Sequence, residues 1–258
     1  MSRAIAPHKP ETTPMASQAA GETDDHKAIV REEFTRQAQA YASAAVITDA
    51  DRLARLVRAI DPRPDDRALE IATGPGYLAM ALAPYCHEVI GLDLTAAPIA
   101  IAQRAIHERG LSNIRFEVGE ADNLIYGDGE FDLVVCRFAF HHFMHPETIL
   151  AEMCRVCRVG GTVVVEDLYA NENPARAARC NRIEQLRDTS HTRALALSEL
   201  IAMMGRPGSK SKASIRTGTR PISKAGSPAR RRRPIARSRC VSYWRRTCAR
   251  ILSTPVES

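Results

Sequence analysis

The chain has 258 residues, 45% of them hydrophobic, enough for one domain of ordinary size with an ample core plus extensions. Its seven cysteines show no framework spacing, which excludes a disulfide scaffold and fits a reducing compartment. No run approaches the roughly 20 apolar residues of a transmembrane helix, so a cytoplasmic protein without a membrane span is expected. The formal charge of +6 is unevenly placed. Residues 1–205 hold 21 Lys+Arg against 29 Asp+Glu, a net of −8, whereas residues 206–258 hold 15 Lys+Arg and one acid, Glu257, a net of +14.

From Met1 to about Thr23 the chain is rich in Pro, Thr, Ala and Ser without a continuous apolar core. Residues 1–26 are therefore expected to be disordered and not a secretory signal. Residues 25–42 and 48–60 read as helices. The second has a Thr48 or Asp49 cap and an apolar side made of Leu53, Leu56, Val57 and Ile60, and Pro62 and Pro64 end it. These helices either cover a pocket or pack against a sheet edge, and the sequence leaves both open.

Residues 67–72 form an apolar, strand-like run, and a helix-compatible run begins at Tyr77. Between them lies Glu70-Ile71-Ala72-Thr73-Gly74-Pro75-Gly76. Glycines between a strand and a helix let backbone approach a ligand, and the helix start offers free N–H groups. Gly74, Gly76 and Ala79 also satisfy the dinucleotide pattern, so the glycines alone do not name the ligand. Glu70 argues for a cation. A carboxylate beside the loop repels a pyrophosphate but suits a sulfonium and an ammonium, the charges of S-adenosylmethionine.

A second short strand over residues 88–93 ends in Asp93, placed to hydrogen-bond ribose hydroxyls. Residues 114–118, 131–136 and 160–166 read as three more strands, and helical patterns separate most of them, which is the alternation of a parallel sheet covered on both faces. His141 and His142 follow the fourth strand at the carboxyl edge of the sheet, where ligands bind. They, or His191, could take a proton from an acceptor, or simply order the loop. Cys154 and Cys157 fall with Leu150 and Met153 on one apolar helix face, so they read as small hydrophobes and no metal site is expected. Residues 174–187 and 199–204 read as helices, with the intervening segment placed where substrate-facing loops sit.

Five motifs in order carry a resemblance: the Glu70 to Gly76 loop, Gly91-Leu92-Asp93-Leu94-Thr95, Gly119 to Leu124, Phe131 to His142 with Arg137, and Arg155 to Gly161. From about Phe34 to about Met204 the chain resembles class I S-adenosylmethionine-dependent methyltransferases of the ubiquinone/menaquinone-biosynthesis-like (type 11) branch. The resemblance implies a Rossmann-like, doubly wound parallel α/β sheet and S-adenosyl-L-methionine as cofactor. It implies that Glu70, Thr73, Gly74 and Gly76 hold the methionine part and Asp93 the ribose. It further implies that Glu120 and Ala121 meet the adenine and that Arg137 lines the site. Ala72 stands where the family more often has glycine, Glu120 where aspartate is usual, and Val159 where proline is usual. No catalytic residue is assigned, because a sulfonium methyl is already activated and the enzyme mainly aligns the nucleophile.

Past Met204 the patterns stop. The family's strands six and seven, an antiparallel hairpin, are expected there, yet residues 206–258 resemble neither apart from a short piece around Ile251-Leu252. The hairpin therefore reads as missing, with residues 27–205 as the methyltransferase domain and 206–258 as a basic, disordered tail. Such a tail is either an arm for nucleic acid or an acidic membrane, or the product of a frameshift, which its abrupt, acid-poor onset favours. The function expected is methyl transfer to a small, apolar or aromatic acceptor. The alternatives are an RNA or protein methyltransferase recruited by the tail, or a non-catalytic cofactor- or nucleic-acid-binding protein.

Overall fold

The computed structural model describes the backbone of residues 15–204, 212–217 and 248–254, and the side chains of residues 23–204. Helices α1 (Met15–Ala42), α2 (Ala45–Thr48) and α3 (Ala50–Ile60) precede strand β1 (Arg67–Ile71). Then come α4 (Tyr77–Leu82), β2 (Glu88–Asp93), α5 (Ala96–Glu108), β3 (Ile114–Val118), β4 (Phe131–Arg137), α6 (Pro146–Val156) and β5 (Cys157–Leu168). Helices α7 (Pro174–Arg187) and α8 (Leu197–Met204) and strands β6 (Lys212–Thr217) and β7 (Cys248–Thr254) complete the described chain.

The sheet order is β3-β2-β1-β4-β5-β7-β6, with the first five strands parallel. All five expected strands are present, because each is a short, β-branched run able to be buried on both faces. Alternate residues serve opposite layers. Leu69, Val134, Cys136 and Val165 pack with Met153 of α6 on one face, while Ala68, Leu133, Val135 and Val164 pack with Leu56 of α3 and Leu78 of α4 on the other. The order reverses between β1 and β4, and in such sheets the crevice at the carboxyl ends of those strands is the ligand position.

Two expectations need correction. Strands six and seven are not missing: β7 pairs antiparallel with β5 from Val164↔Leu252 to Leu168↔Cys248, and β6 pairs antiparallel with β7. An unpaired β5 edge would leave a row of N–H and C=O groups without partners, and β7, which contains Ile251-Leu252, covers it. The rest of the basic tail lies outside the described residues, and so do the arm and frameshift readings of it. The segment 1–26 is not wholly unstructured, since α1 begins at Met15; residues 1–14 lie outside the described residues. The helix expected over 48–60 is α3, which starts at Ala50 after the Asp49 cap: Asp49 leaves helical geometry (ψ 101°) and accepts from Arg52 N at 3.0 Å, and Leu53, Leu56, Val57 and Ile60 form its buried side. Among the described residues no helix is long and apolar enough to cross a membrane.

Candidate active site

The loop after β1 turns through three residues of positive φ: Ala72 at 53°, Gly74 at 55° and Gly76 at 75°. Gly76 is the N-cap of α4. Beneath the turn, the buried Glu70 carboxylate accepts from Thr73 Oγ1 at 2.6 Å and from Ala79 N at 2.8 Å. It thus satisfies an otherwise orphaned N–H in the first turn of α4 and places negative charge at the positive helix end. Burial pushes its pKa up to about 7, against the opposing pull of those hydrogen bonds and of Arg137. The Asp93 carboxylate at the end of β2 accepts from Gly74 N at 2.8 Å and Thr95 N at 2.9 Å, so two strand ends are tied together. Enclosure by protein raises its pKa to about 6, the same two N–H groups acting in the opposite direction.

Over these strand ends lies a cavity of about 360 Å³, roofed by α1. Asp24, Asp93, Glu120 and Asp122 reach it against one lysine, Lys27. The acid excess favours a cation. The remainder of the wall is mostly apolar, with Val30 and Phe34 from α1 facing Phe138, Phe143 and Ile149. Helix α1 is held over the mouth by polar contacts. Lys27 Nζ lies 2.6 Å from Glu120 and 2.8 Å from Asp122, Arg31 lies 2.9 Å from Glu120, and His26 Nε2 donates to the His142 carbonyl at 2.9 Å.

Of the eight residues singled out from sequence, Gly74, Asp93, Glu120 and Ala121 line this cavity. Glu70 and Thr73 lie beneath the loop and support it. Gly76 lies against Phe116, where a Cβ would come within 2.6 Å of Cε1. Arg137 does not line the cavity. Its buried guanidinium donates to Glu166 at 3.0 Å and to the carbonyls of Val46 at 3.2 Å and Ile47 at 3.4 Å, which fastens α2 to the end of β5. Arg52 also donates to Glu166, at 2.9 Å.

Sequence reasoning passed over Lys27, Phe34 and Tyr41, all from α1 and all on the cavity wall. Their helix carries no motif, and only its position before β1 hinted at a covering role. The histidines form a cluster: the His141 and His142 rings are 4.2 Å apart and those of His141 and His191 are 5.4 Å apart. His141 Nδ1 is 2.6 Å from Asp167 Oδ1, while His142 lines the cavity. Among the described residues no cluster could hold a metal ion.

Comparison with known proteins places this geometry. A family model described as a methyltransferase domain matches residues 69–165, the span from β1 to β5. The chain is 35% identical over 170 residues to the uncharacterized methyltransferase YcgJ of Bacillus subtilis, covering 66% of this chain and 67% of that one. The crystal structure of YcgJ superposes with a TM-score of 0.66 at 26% identity, over 80% of this chain and 98% of that one. A demethylmenaquinone methyltransferase of Thermus thermophilus is 42% identical over 102 residues, 38% of this chain and 46% of its own length. An ajmaline N-methyltransferase of Rauvolfia serpentina is 32% identical over 139 residues, 48% of each chain. The chain thus spans about half the length of the last two, whose names point to unlike acceptors.

Proposed function

This chain belongs to the S-adenosylmethionine-dependent methyltransferases, and from that premise we propose that it methylates a small, apolar or aromatic acceptor held in the cavity beneath α1. One observation carries the reading: acids from β2 and the loop after β3 share a single cavity with an apolar wall from α1 and the segment after β4. A cationic cofactor suits the acids and a flat apolar acceptor suits the opposite wall.

When bound, S-adenosylmethionine supplies a methyl carbon already activated by its sulfonium. In this reading the Asp93 carboxylate, oriented by Gly74 N and Thr95 N, receives two ribose hydroxyls through its remaining lone pairs. Glu120 and Ala121 flank the adenine, and Gly74 presents backbone to the methionine part. Glu70 and Thr73 act from beneath by holding the loop in shape, and Arg137 acts only on the fold. The apolar wall excludes water and fixes the acceptor's distance from the methyl carbon, which is where most of the rate acceleration of an alignment-driven transfer arises. An RNA or protein acceptor finds no support among the described side chains.

Calorimetry with S-adenosylmethionine, S-adenosylhomocysteine and NAD tests the cofactor half, with binding of the first two alone as the expected result. Tight NAD binding without S-adenosylmethionine binding would overturn it. Transfer of a labelled methyl group across a panel of small acceptors tests the other half.

A further inference from the structure

We propose that His142 is the general base of this site, taking a proton through Nε2 from a neutral hydroxyl acceptor of phenol or enol type. The inference rests on the methyl-transfer reading above and names the acceptor class for it.

The geometry fixes the tautomer. His142 Nδ1 lies 3.0 Å from the backbone carbonyl oxygen of Ser190, and a carbonyl has no proton to give. Nδ1 must therefore carry the hydrogen, which leaves the lone pair on Nε2. A second contact agrees. Ser190 Oγ is 3.1 Å from the same Nδ1 and donates its own proton to Asp188 Oδ1, so it too can only accept from the ring. Nε2 has no hydrogen-bond partner among the described residues, and the ring forms part of the cavity wall, in a T-shaped contact with Phe34 at 5.1 Å between ring centres. A ring nitrogen on the cavity wall, oriented by a carbonyl and a Ser–Asp pair and with its lone pair unspent, is arranged to accept a proton from something in the cavity.

The surroundings keep that lone pair free at neutral pH. Burial is the main cause that holds the His142 pKa well below the ordinary histidine value, and the neighbouring His141, His191 and His26 add to it. The nearby acids are engaged elsewhere, Asp167 with His141 and Asp188 with Ser190. His191 is likewise held down to about 4, chiefly by burial. Of the clustered histidines His141 is the alternative base, but it does not reach the cavity wall.

A neutral imidazole is of use only to an acceptor that must lose a proton as it reacts. The acceptor oxygen forms its bond to the methyl carbon, and the sulfur–carbon bond breaks with its electron pair moving to sulfur, which becomes a neutral thioether. The hydroxyl proton passes to Nε2, and the imidazolium returns it to solvent. A carboxylate or a pre-formed thiolate needs no such group, and the aromatic wall of Phe34, Phe138 and Phe143 fits a flat ring.

The test uses para-substituted phenols of graded acidity as acceptors, with wild type and His142→Gln. Below the phenol pKa, the wild-type single-turnover rate is expected to be nearly flat from pH 6.5 to 8. The variant should be slower by about 10²–10⁴-fold and its rate should rise about tenfold per pH unit, because only phenolate then reacts. S-adenosylmethionine affinity by calorimetry should be the same in both. Equal pH slopes, or a variant within threefold of wild type, would overturn the base role. Wild type that binds S-adenosylmethionine but methylates no phenol would overturn the acceptor class. Failure to bind S-adenosylmethionine would instead sink the methyl-transfer reading itself. Nitrogen NMR of selectively labelled histidine gives a readout independent of any acceptor: a protonated Nε2 on His142 would refute the geometry.

Discussion

Gly74 and Gly76 look equivalent in the sequence and are not equivalent in the structure, and one pair of substitutions separates them. At Gly76 φ is +75°, and an added Cβ would lie 2.6 Å from Phe116 Cε1 and 3.1 Å from the Ala102 Cβ. Phe116 is buried, and its ring cannot retreat toward β2, because the space beside Gly91 is equally tight, with a Cβ there 2.5 Å from the same Cε1. Gly76→Ala therefore combines a left-handed backbone cost of about 1–2 kcal/mol with an overpacking cost of about 1–3 kcal/mol, about 2–5 kcal/mol together. At Gly74 φ is +55°, but a Cβ would stand 3.6 Å from Tyr41 Cε1, an ordinary contact. Gly74→Ala should then cost only the backbone part, about 1–2 kcal/mol, and act mainly on ligand binding. Urea denaturation of the two variants gives the comparison directly. Combining Gly76→Ala with Phe116→Leu should recover part of the loss, since neighbouring substitutions couple. Equal destabilisation at both glycines, or no recovery in the double variant, would refute the packing argument.

Asp93→Ala should weaken S-adenosylmethionine binding by about 1–3 kcal/mol through loss of charge-assisted hydrogen bonds, and an unchanged dissociation constant in a folded variant would remove the ribose role. The buried acids also set a pH dependence. Glu70 at about 7 and Asp93 at about 6 hold protons more tightly in the folded protein than in the unfolded chain. The ligand-free protein should therefore be most stable below pH about 4 to 5 as far as these two groups are concerned, and lose up to about 3 kcal/mol per group as pH rises through about 6 to 7. Urea midpoints of Glu70→Gln and Asp93→Asn should show a weaker loss over that window than wild type; identical slopes would show that the two acids ionise freely. Arg137→Met should cost about 2–4 kcal/mol in stability, moderated because Arg52 remains on Glu166, while cofactor affinity stays within threefold of wild type. A folded Arg137→Met that no longer binds would return Arg137 to the binding site.

The strands β1 to β5 were legible because each is short, β-branched and separated by helical patterns, signals that depend on local sequence alone. The strands β6 and β7 were not, because their segments carry lysine, arginine and serine in place of alternating apolar residues. Their place is set by what β5 lacks, an antiparallel partner for its outer edge, and such a demand is invisible one segment at a time. Helix α1 shows the same limit. Nothing in residues 15–24 marks a helix, and its position over the cavity depends on distant partners, Lys27 with Glu120 and His26 with the His142 carbonyl. Motif matching also assigned roles more evenly than space permits. Glu70, Thr73, Gly76 and Arg137 belong to the same motifs as the cavity residues, yet they face inward to the loop, the sheet or α2.

The two chemistries of the cavity sit on different parts of the chain, and this has a consequence for specificity. The acids Asp93 and Glu120 and the loop at Gly74 fall within residues 69–165, the span that matches the methyltransferase domain. The roof residues Val30, Phe34 and Tyr41, and the segment carrying Asp188 and Ser190 that orients His142, lie outside it. Changes in those outer segments can reshape the apolar wall or release the His142 ring while leaving Asp93 tied to Gly74 N. Relatives named for unlike acceptors can therefore share the inner span. In this chain, exchanging Phe34 for a smaller residue should shift acceptor preference, read as kcat/KM across phenols of increasing width, with S-adenosylmethionine affinity held constant. A change in cofactor affinity with no change in acceptor preference would mean that α1 serves the cofactor, and that the division drawn between the two walls is wrong.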